Sequence, residues 1–391
     1  MYQMFKSKII KLRRNGIKPK SVLVLFGVLC MVCFTNTAFS QMTNIELEKE
    51  IKALKKKLDT ISSKQTNTIE KLSDRISISG LLEVETFLSK NYDNKSESDI
   101  TLATMELGFD AQVADWVSGH ILLLWEEDDT DPVDMDEATI TLQDPERSRF
   151  FLTAGKMYVP FGAFETNMIQ DPLTLEIGET RESALQIGFN NSDFYASVYT
   201  FKGDVNKRGE SDRVKCYGAN FGYTYVEKDD DFELDLGIDF ISNIADSDTM
   251  TDSISAGIPI NDYVEGFAAH VIAKLDSFTV IAEYVGAADR FEYGELDFKD
   301  KGARPEAFNI ECAYTKQIRD KETTFAVGYQ KTREGLALEL PEERYMASVG
   351  VGMTENTSLA FEYLHDEDYN SSDGGTGDKQ DMVTLQLAIE L

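Results

Sequence analysis

Residues 383–391 read VTLQLAIEL, so apolar and polar side chains alternate along the last nine positions of the sequence. Because successive side chains of a β-strand point to opposite faces, this segment would present one apolar wall and one polar wall. The apolar wall consists of Val383, Leu385, Leu387, Ile389 and Leu391. An apolar face toward lipid and a polar face toward a wet lumen are typical of the closing strand of an outer-membrane barrel.

The same alternation recurs from residue 76 onward and predicts sixteen strands. The predicted strands are 76–88, 101–113, 117–126, 134–142, 149–157, 182–189, 193–202, 214–226, 232–242, 263–275, 278–288, 305–316, 323–331, 343–353, 357–365 and 381–391. Several have the roughly 9 to 11 residues that cross an outer membrane at a tilt. The predicted fold is therefore all-β: a transmembrane antiparallel barrel of about 16 strands over residues 76–391.

Short and long connections alternate between these strands. Short connections include 114–116, 190–192, 275–277 and 353–356, and the longer ones include 89–100, 158–181, 203–213, 243–262, 289–304, 332–342 and 366–380. Bacterial outer-membrane barrels place short turns at the periplasmic rim and long loops outside the cell. A secreted β-sandwich also alternates, but it explains neither this order nor the apolar last strand.

Residues 1–40 have the pattern of a secretory signal peptide. Seven Lys and Arg residues precede the apolar run 22–34, which is too short to span a bilayer. Ala38, Phe39 and Ser40 supply a small-x-small cleavage pattern, so the mature chain is expected to begin at Gln41. An uncleaved membrane anchor is the alternative.

Residues 41–75 contain a heptad pattern. From Leu47 the apolar positions recur alternately four and three residues apart, through Ile51, Leu54, Leu58 and Ile61. This spacing predicts a short periplasmic coiled-coil helix before the barrel and a homo-oligomer joined through it. A single amphipathic helix is the alternative.

The chain is strongly acidic, with 69 Asp and Glu against 39 Lys and Arg and a net charge of −30. A nucleic-acid binder needs a basic surface to neutralise phosphates, so no nucleic-acid partner is expected. Acidic loops outside a cell can attract cations, and an acidic pore mouth selects for them. The charge therefore favours a cation-attracting surface or pore.

Signals for catalysis are missing from the sequence. The three histidines, His120, His270 and His365, lie on different predicted strands with no metal-binding or nucleophile motif nearby. Cys216 and Cys312 are far apart and form no disulfide framework. We therefore expect neither an enzyme, nor a cofactor, nor a metal site.

The segment 155–182 differs from every other connection. It reads GKMYVPFGAFETNMIQDPLTLEIGETRE and has two prolines and apolar residues that do not alternate. A long loop with this apolar content is expected to be ordered, and the space available to it is the lumen. Its charged side chains are then candidates for an eyelet that selects solutes by charge, and they are Lys156, Asp171, Glu176, Glu179, Arg181 and Glu182. A loop packed on the outer rim is the alternative.

The chain resembles the LbtU family of siderophore porins of Gram-negative bacteria. The resemblance rests on the coiled coil after the signal, the sixteen strands, and above all GKMYVPFGAFETNM followed by DPLTLEIGETRES. It implies an outer-membrane protein that takes up ferric siderophore without the internal plug of TonB-dependent receptors. Leu391 departs from the aromatic residue common at the end of such barrels.

The expected partners are a ferric siderophore, outer-membrane lipid and lipopolysaccharide. An anionic ferric complex would need local cations in a lumen that is rich in Asp and Glu. A general cation-preferring diffusion porin and a structural or adhesive surface barrel therefore stay open as alternatives.

Overall fold

The computed structural model describes residues 75–127, 133–210, 213–227, 231–254 and 259–391, and they are dominated by antiparallel strands. The strands are β1 (Ile76–Lys90), β2 (Ser96–Ala114), β3 (Val117–Trp125), β4 (Asp134–Leu142), β5 (Phe150–Tyr158), β6 (Arg181–Asn190), β7 (Phe194–Phe201), β8 (Cys216–Glu227), β9 (Phe232–Ile241), β10 (Gly266–Leu275), β11 (Phe278–Ala287), β12 (Asp297–Phe298), β13 (Lys301–Gly302), β14 (Glu306–Ile318), β15 (Lys321–Arg333), β16 (Glu343–Thr354), β17 (Thr357–Glu367) and β18 (Lys379–Glu390). All except β12 and β13 belong to one closed barrel of sixteen strands. The predicted fold class is confirmed.

The barrel closes between its first and last strands. β18 pairs antiparallel with both β17 and β1, and Leu81 lies opposite Glu390 at one end of the β1–β18 seam. Every other barrel strand likewise has two neighbours, so the sheet has no open edge. A closed sheet satisfies its backbone hydrogen bonds internally, as a membrane requires.

The two faces of the barrel have opposite character. On β18, Leu385 and Leu387 are both 45% exposed, whereas Thr384 is buried at 2%. On β9, Ile238 is 61% exposed and Asp239 only 6%. Apolar side chains therefore cover the exterior, and polar ones point to the interior.

Aromatic side chains mark both ends of the apolar exterior. Phe278 and Tyr314 lie beside short connections with ring centroids 4.9 Å apart. At the other rim of the barrel, beside the long connection between β15 and β16, the ring centroids of Tyr329 and Tyr345 are 5.2 Å apart. Such belts lie where a bilayer meets water.

The first connection is shorter than the predicted 89–100. β1 and β2 continue to pair through Ser89 with Glu97 and Lys90 with Ser96, which leaves only residues 91–95 unpaired. Among the added strand residues, 89–90 and 96–99 are all polar and show no alternation of hydrophobicity, so the pattern did not predict that the strands extend beyond the apolar band.

Short elements within the long connections were not predicted. They are the hairpin β12–β13, the helices α1 (Leu173–Gly178) and α2 (Asp248–Ser253), and three 3₁₀ turns at Ile244–Asp246, Leu336–Leu338 and Ser371–Asp373. None of the described helices is long and apolar enough to cross a bilayer. The predicted signal peptide and coiled coil, residues 1–40 and 41–75, fall outside the described residues apart from Arg75.

Long connections and inward side chains enclose a substantial apolar cluster. It includes Phe161, Leu173 and Ile177 from one connection, together with Ile241 and Val285 from the wall. All five are at most 1% exposed. Burying each such side chain contributes about 1.5–3 kcal/mol, so these connections are held in place rather than extended into solvent.

Gly155 allows the closest approach between β4 and β5. Its φ is +142°, and an added Cβ would lie 2.0 Å from the carbonyl oxygen of Ala138. We therefore expect Gly155→Ala to destabilise the barrel by at least about 1–3 kcal/mol, the usual cost of a strained backbone. The measurement is the temperature at which the folded electrophoretic form converts to the unfolded form.

Gly350→Ala is the matched control, because no heavy atom lies within 4 Å of its added Cβ. Equal conversion temperatures for the two variants would contradict the close approach at Gly155.

Candidate functional site

Residues 159–180, which connect β5 to β6, fold into the barrel; we call them the inward loop. The Val159 backbone N–H donates to the carbonyl oxygen of Thr180 across the base of the loop (3.0 Å). The hydrogen bonds described next reach lumen-facing side chains on distant strands. The inward position predicted from the apolar content of the loop is thus observed, and the outer-rim alternative is wrong.

Glu283 of β11 is the first anchor of the inward loop. Its carboxylate accepts hydrogen bonds from the backbone N–H groups of Ala163 (2.6 Å) and Phe164 (3.2 Å). It also accepts one from the Thr174 hydroxyl (2.7 Å) as the chain returns. The Glu283 side chain is 2% exposed, so these donors replace the water that a buried carboxylate would otherwise need.

Glu311 of β14 and Glu362 of β17 repeat the arrangement. Glu311 accepts from the Thr166 hydroxyl (2.6 Å) and the Asn167 backbone N–H (2.8 Å). Glu362 accepts from the backbone N–H of Ile169 (2.6 Å). Both carboxylates are 1% exposed, and both are satisfied by the loop.

Three further buried side chains, two neutral and one acidic, complete the attachment. The backbone N–H of Leu173 donates to Gln330 Oε1 on β15 (2.9 Å), and Ser348 Oγ on β16 donates to the Asn167 carbonyl oxygen (3.1 Å). Asp239 of β9 accepts from the Gly162 backbone N–H (3.0 Å). We call the interior face of β9, β11 and β14–β17 the anchoring wall.

Apolar contacts hold the loop against the same wall. Met168 packs in a second buried cluster with Ala313, Ala326, Met346 and Leu364, which come from β14 to β17. Hydrogen bonds and apolar packing thus favour one position of the loop, against the anchoring wall.

The acidic gap is the name we give to Asp171 on the inward loop together with Glu83 and Glu85 on β1 and Glu106 on β2. The Asp171 side chain is exposed, and its charge repels those of Glu83 and Glu85. The wall that carries Glu83 receives none of the anchoring hydrogen bonds described above. The carboxylates of Asp171, Glu83 and Glu85 therefore lie close enough together for their charges to interact.

The basic side chain that acts on the acidic gap, Arg344, is already paired with another carboxylate. Arg344 on β16 is the nearest basic group acting on Asp171 and Glu176. Its guanidinium forms two hydrogen bonds to Asp366, at 2.8 and 3.1 Å. A planar, bidentate pair of this kind satisfies both partners, so Arg344 is already paired and does not serve as a dedicated counter-ion for the acidic gap.

Glu176 and Glu179 lie where the inward loop contacts α2. Thr249 Oγ1 donates to Glu176 Oε2 (3.0 Å), and the Asp248 backbone N–H donates to the carbonyl oxygen of Glu179 (2.9 Å). Burial, followed by the nearby charges of Asp248 and Asp171, raises the pKa of Glu179 to about 8. Glu179 is therefore neutral at lower pH and adds negative charge to the lumen as the pH rises through about 8.

Lys156 and Arg181 lie apart from the acidic members of the predicted eyelet. Lys156 Nζ is 3.3 Å from Asp134 Oδ2, and Arg181 is paired with both Asp134 (3.1 Å) and Asp136. Arg181 is the first residue of β6, and its guanidinium reaches the buried carboxylate of Asp136 on β4. The two predicted cations thus form an ion-paired cluster on β4–β6 and do not face Asp171.

Glu182 has the opposite orientation from Arg181. It shares a strand face with Ala184, which is buried at 6%, and its charge is repelled by those of Asp204 and Asp246. Of the six predicted residues, Asp171, Glu176, Glu179 and Glu182 therefore lie on the loop or the interior face.

The sequence analysis missed the anchoring carboxylates and the wall side of the acidic gap. Glu283, Glu311 and Glu362 each stand alone between apolar neighbours within a predicted strand. An isolated carboxylate in such a strand must face the lumen and find donors, because lipid exposure would be costly. That signal identifies the anchors as lumen-facing, although it does not identify their partners.

The arrangement suits passage of solutes better than catalysis. Within the described ranges, no group of three or more His, Cys, Asp or Glu side chains is placed to hold a metal ion. Cys216 is buried and Cys312 is exposed on the exterior, consistent with the packed or lipid-facing positions expected for them. What the lumen holds is an anchored inward loop and, beside it, the carboxylates of the acidic gap.

Comparison with curated proteins finds uncharacterised relatives in two genera. A UPF0422 protein of Coxiella burnetii is 30% identical over 310 residues, which cover 78% of this chain. A UPF0422 protein of Legionella pneumophila is 27% identical over 357 residues, covering 80% of this chain. These homologues are longer, since each alignment spans 66% of the relative, slightly under two thirds. No protein-family model matches the chain.

Comparison with solved structures identifies the porin fold. The outer-membrane channel DcaP of Acinetobacter baumannii superposes with a TM-score of 0.55 at 15% identity, covering 81% of this chain and 97% of that one. An anion-selective porin from Comamonas acidovorans gives 0.58 at 10% identity, covering 81% and 99%. OprB of Pseudomonas putida superposes with a TM-score of 0.58 at 10% identity, covering 84% of this chain and 97% of that one.

The chain is accordingly a porin-type barrel of a Gram-negative outer membrane. Its closed sheet, apolar exterior and aromatic belts meet the physical requirements of that membrane.

Removing an anchor is expected to release the inward loop. Glu283→Ala deletes the acceptor of two backbone N–H groups and one hydroxyl, at about 1–3 kcal/mol for each buried donor left unpaired. A released loop fluctuates in the lumen, so single-channel recordings should show a noisier current and a higher mean conductance.

Glu233→Ala is the control, because this lumen-side carboxylate of β9 contacts Lys274 (3.9 Å) and not the loop. If Glu283→Ala and Glu233→Ala left equally quiet channels of unchanged conductance, the anchoring role of Glu283 would be refuted.

Proposed function

We propose that the protein is a passive channel for ferric siderophore complexes that carry no net negative charge, and that it works without a TonB-type plug. Movement would follow the concentration gradient across the outer membrane. The acidic gap is the observation that carries the proposal, because its carboxylates favour cationic or neutral solutes over anionic ones.

The electrostatic preference is large enough to decide which complexes pass. A unit charge 4 Å from a carboxylate gains or loses about 1 kcal/mol in bulk water and about 4 kcal/mol near a protein surface. A cation passing between Asp171 and Glu85 is attracted from both sides, and an anion is repelled from both. The expected discrimination is therefore roughly tenfold or more.

Siderophore as the substrate class is supported by where the resemblance lies in the fold. The GKMYVPFGAFETNM segment that resembles siderophore porins supplies the end of β5 and the anchored first half of the inward loop. The DPLTLEIGETRES segment begins with Asp171 and contains α1. The resembling residues are thus concentrated at the constriction, where a channel selects its solute.

The six predicted site residues have two roles in this proposal. Asp171, Glu176 and Glu182 supply acidic groups to the lumen, and Glu179 adds negative charge as the pH rises through about 8. Lys156 and Arg181 act indirectly, because their ion pairs hold the carboxylates of Asp134 and Asp136 at the start of β4.

A general cation-preferring diffusion porin is the second candidate, favoured by the same carboxylates. A substrate-specific channel should be blocked by its ferric complex, whereas a general porin should conduct salt without that block. Contacts with lipopolysaccharide and a homo-oligomer joined through residues 41–75 remain predictions.

Uptake into proteoliposomes tests the substrate charge. The probes are a ferric trihydroxamate with one free ammonium group, the same complex acetylated at that amine, and ferric citrate. We expect the cationic complex to enter at least about tenfold faster than the anionic one, with the neutral complex between them. Asp171→Asn and Glu85→Gln should each reduce the ratio of the cationic to the anionic uptake rate.

Entry of the anionic complex as fast as the cationic one would contradict the proposal. Absence of any ionic conductance from the same preparation would favour a structural or adhesive barrel instead.

A further inference from the structure

We propose that the acidic gap is a binding site for solutes with two or more ammonium groups, namely aliphatic diamines and polyamines, which occupy it and block the channel. This proposal rests on the channel function above. It adds a resident ligand class to a constriction that would otherwise only filter by charge.

Glu83 supplies the first observation. Its side chain is 5% exposed, yet Oε2 has no hydrogen-bond partner in the described part of the chain. The neighbouring Thr104 hydroxyl contacts this carboxylate, while Glu85, Glu106 and Asp171 only repel it. A buried carboxylate oxygen without a donor is unfavourable unless a ligand supplies one.

The neighbouring groups cannot supply that donor. Glu and Asp are acceptors only when ionised, so Glu85, Glu106 and Asp171 add unfilled acceptor capacity. Gln386 Nε2 donates one hydrogen bond, to Glu85 Oε1 (2.9 Å). Arg344, the basic group acting on Asp171, already forms its bidentate pair with Asp366.

The spacing of the carboxylates selects the kind of cation. Glu83 and Glu85 are two residues apart on one strand face, or about 7 Å along the strand. Glu106 lies diagonally across from Glu83, because Thr104 is the residue directly opposite it; diagonal neighbours are about 7–8 Å apart. Among the described residues, no group of three or more His, Cys, Asp or Glu side chains is placed to hold a metal ion, so these carboxylates are considered as partners of ammonium groups.

An ammonium group has three donors and no acceptor, which complements a carboxylate. In a diamine, two such groups are separated by a flexible chain that can follow the apolar atoms between the acidic side chains. A monoamine can satisfy only one carboxylate at a time. The geometry therefore favours the diamine over a monoamine of the same length.

Block of single channels in planar bilayers tests the proposal. The probes are 1,5-diaminopentane and pentylamine, added to either side at neutral pH. We expect the diamine to reduce the current at concentrations at least about tenfold below the monoamine, as loss of one charge-assisted hydrogen bond predicts. Glu83→Gln and Glu85→Gln should each raise the half-blocking diamine concentration about tenfold.

Glu233→Gln is the control variant, since this carboxylate lies on β9 across the barrel from β1, and its half-blocking concentration should equal that of the unmodified protein. Equal block by diamine and monoamine, or block unchanged in both gap variants, would overturn the binding site while leaving the channel in place. A protein that conducts no ions would instead refute the channel function itself. The open-channel conductance of each variant before amine addition shows that it has folded and inserted.

Discussion

The backbone N–H groups of the inward loop must find acceptors inside the barrel, and the rest of the lumen is organised around that requirement. Three buried carboxylates, Glu283, Glu311 and Glu362, supply acceptors to residues 163–170 and Thr174. Each partner needs the other, because an unpaired buried amide and an unsolvated carboxylate are both costly. The position of the inward loop and the buried carboxylates of the wall therefore depend on each other. This mutual dependence explains how a long connection containing two prolines takes a fixed place in a wide barrel.

Fixing the loop on one side gives the same type of side chain two different roles. Carboxylates under the loop are paired and serve as anchors, whereas those of the acidic gap keep unfilled acceptor capacity. The difference lies in the supply of donors: backbone N–H groups reach Glu311, while one Oε atom of Glu83 has none in the described residues. In the proposed channel, selectivity would follow from which wall the loop leaves uncovered.

The sequence predicted the barrel well because its information is local. Alternation and turn order depend on neighbouring residues, and each of the sixteen predicted strands corresponds to an observed one. The candidate site was only partly predictable, because its partners are distant in the chain. Nothing near Lys156 or Arg181 indicates that Asp134 and Asp136 would neutralise them. Glu83, Glu85 and Glu106 likewise gain their significance only from the position of Asp171, which depends on anchors nearly two hundred residues away.

A disulfide across the anchored contact tests this account most directly. Ser348 Oγ lies 3.1 Å from the carbonyl oxygen of Asn167, so Asn167→Cys and Ser348→Cys can be combined, with Cys312→Ser to remove the exposed thiol. If the loop rests on the anchoring wall, oxidation of the inserted protein forms the disulfide and leaves the open-channel conductance unchanged. Failure to crosslink, or a conductance that changes markedly once the bond forms, would contradict the account.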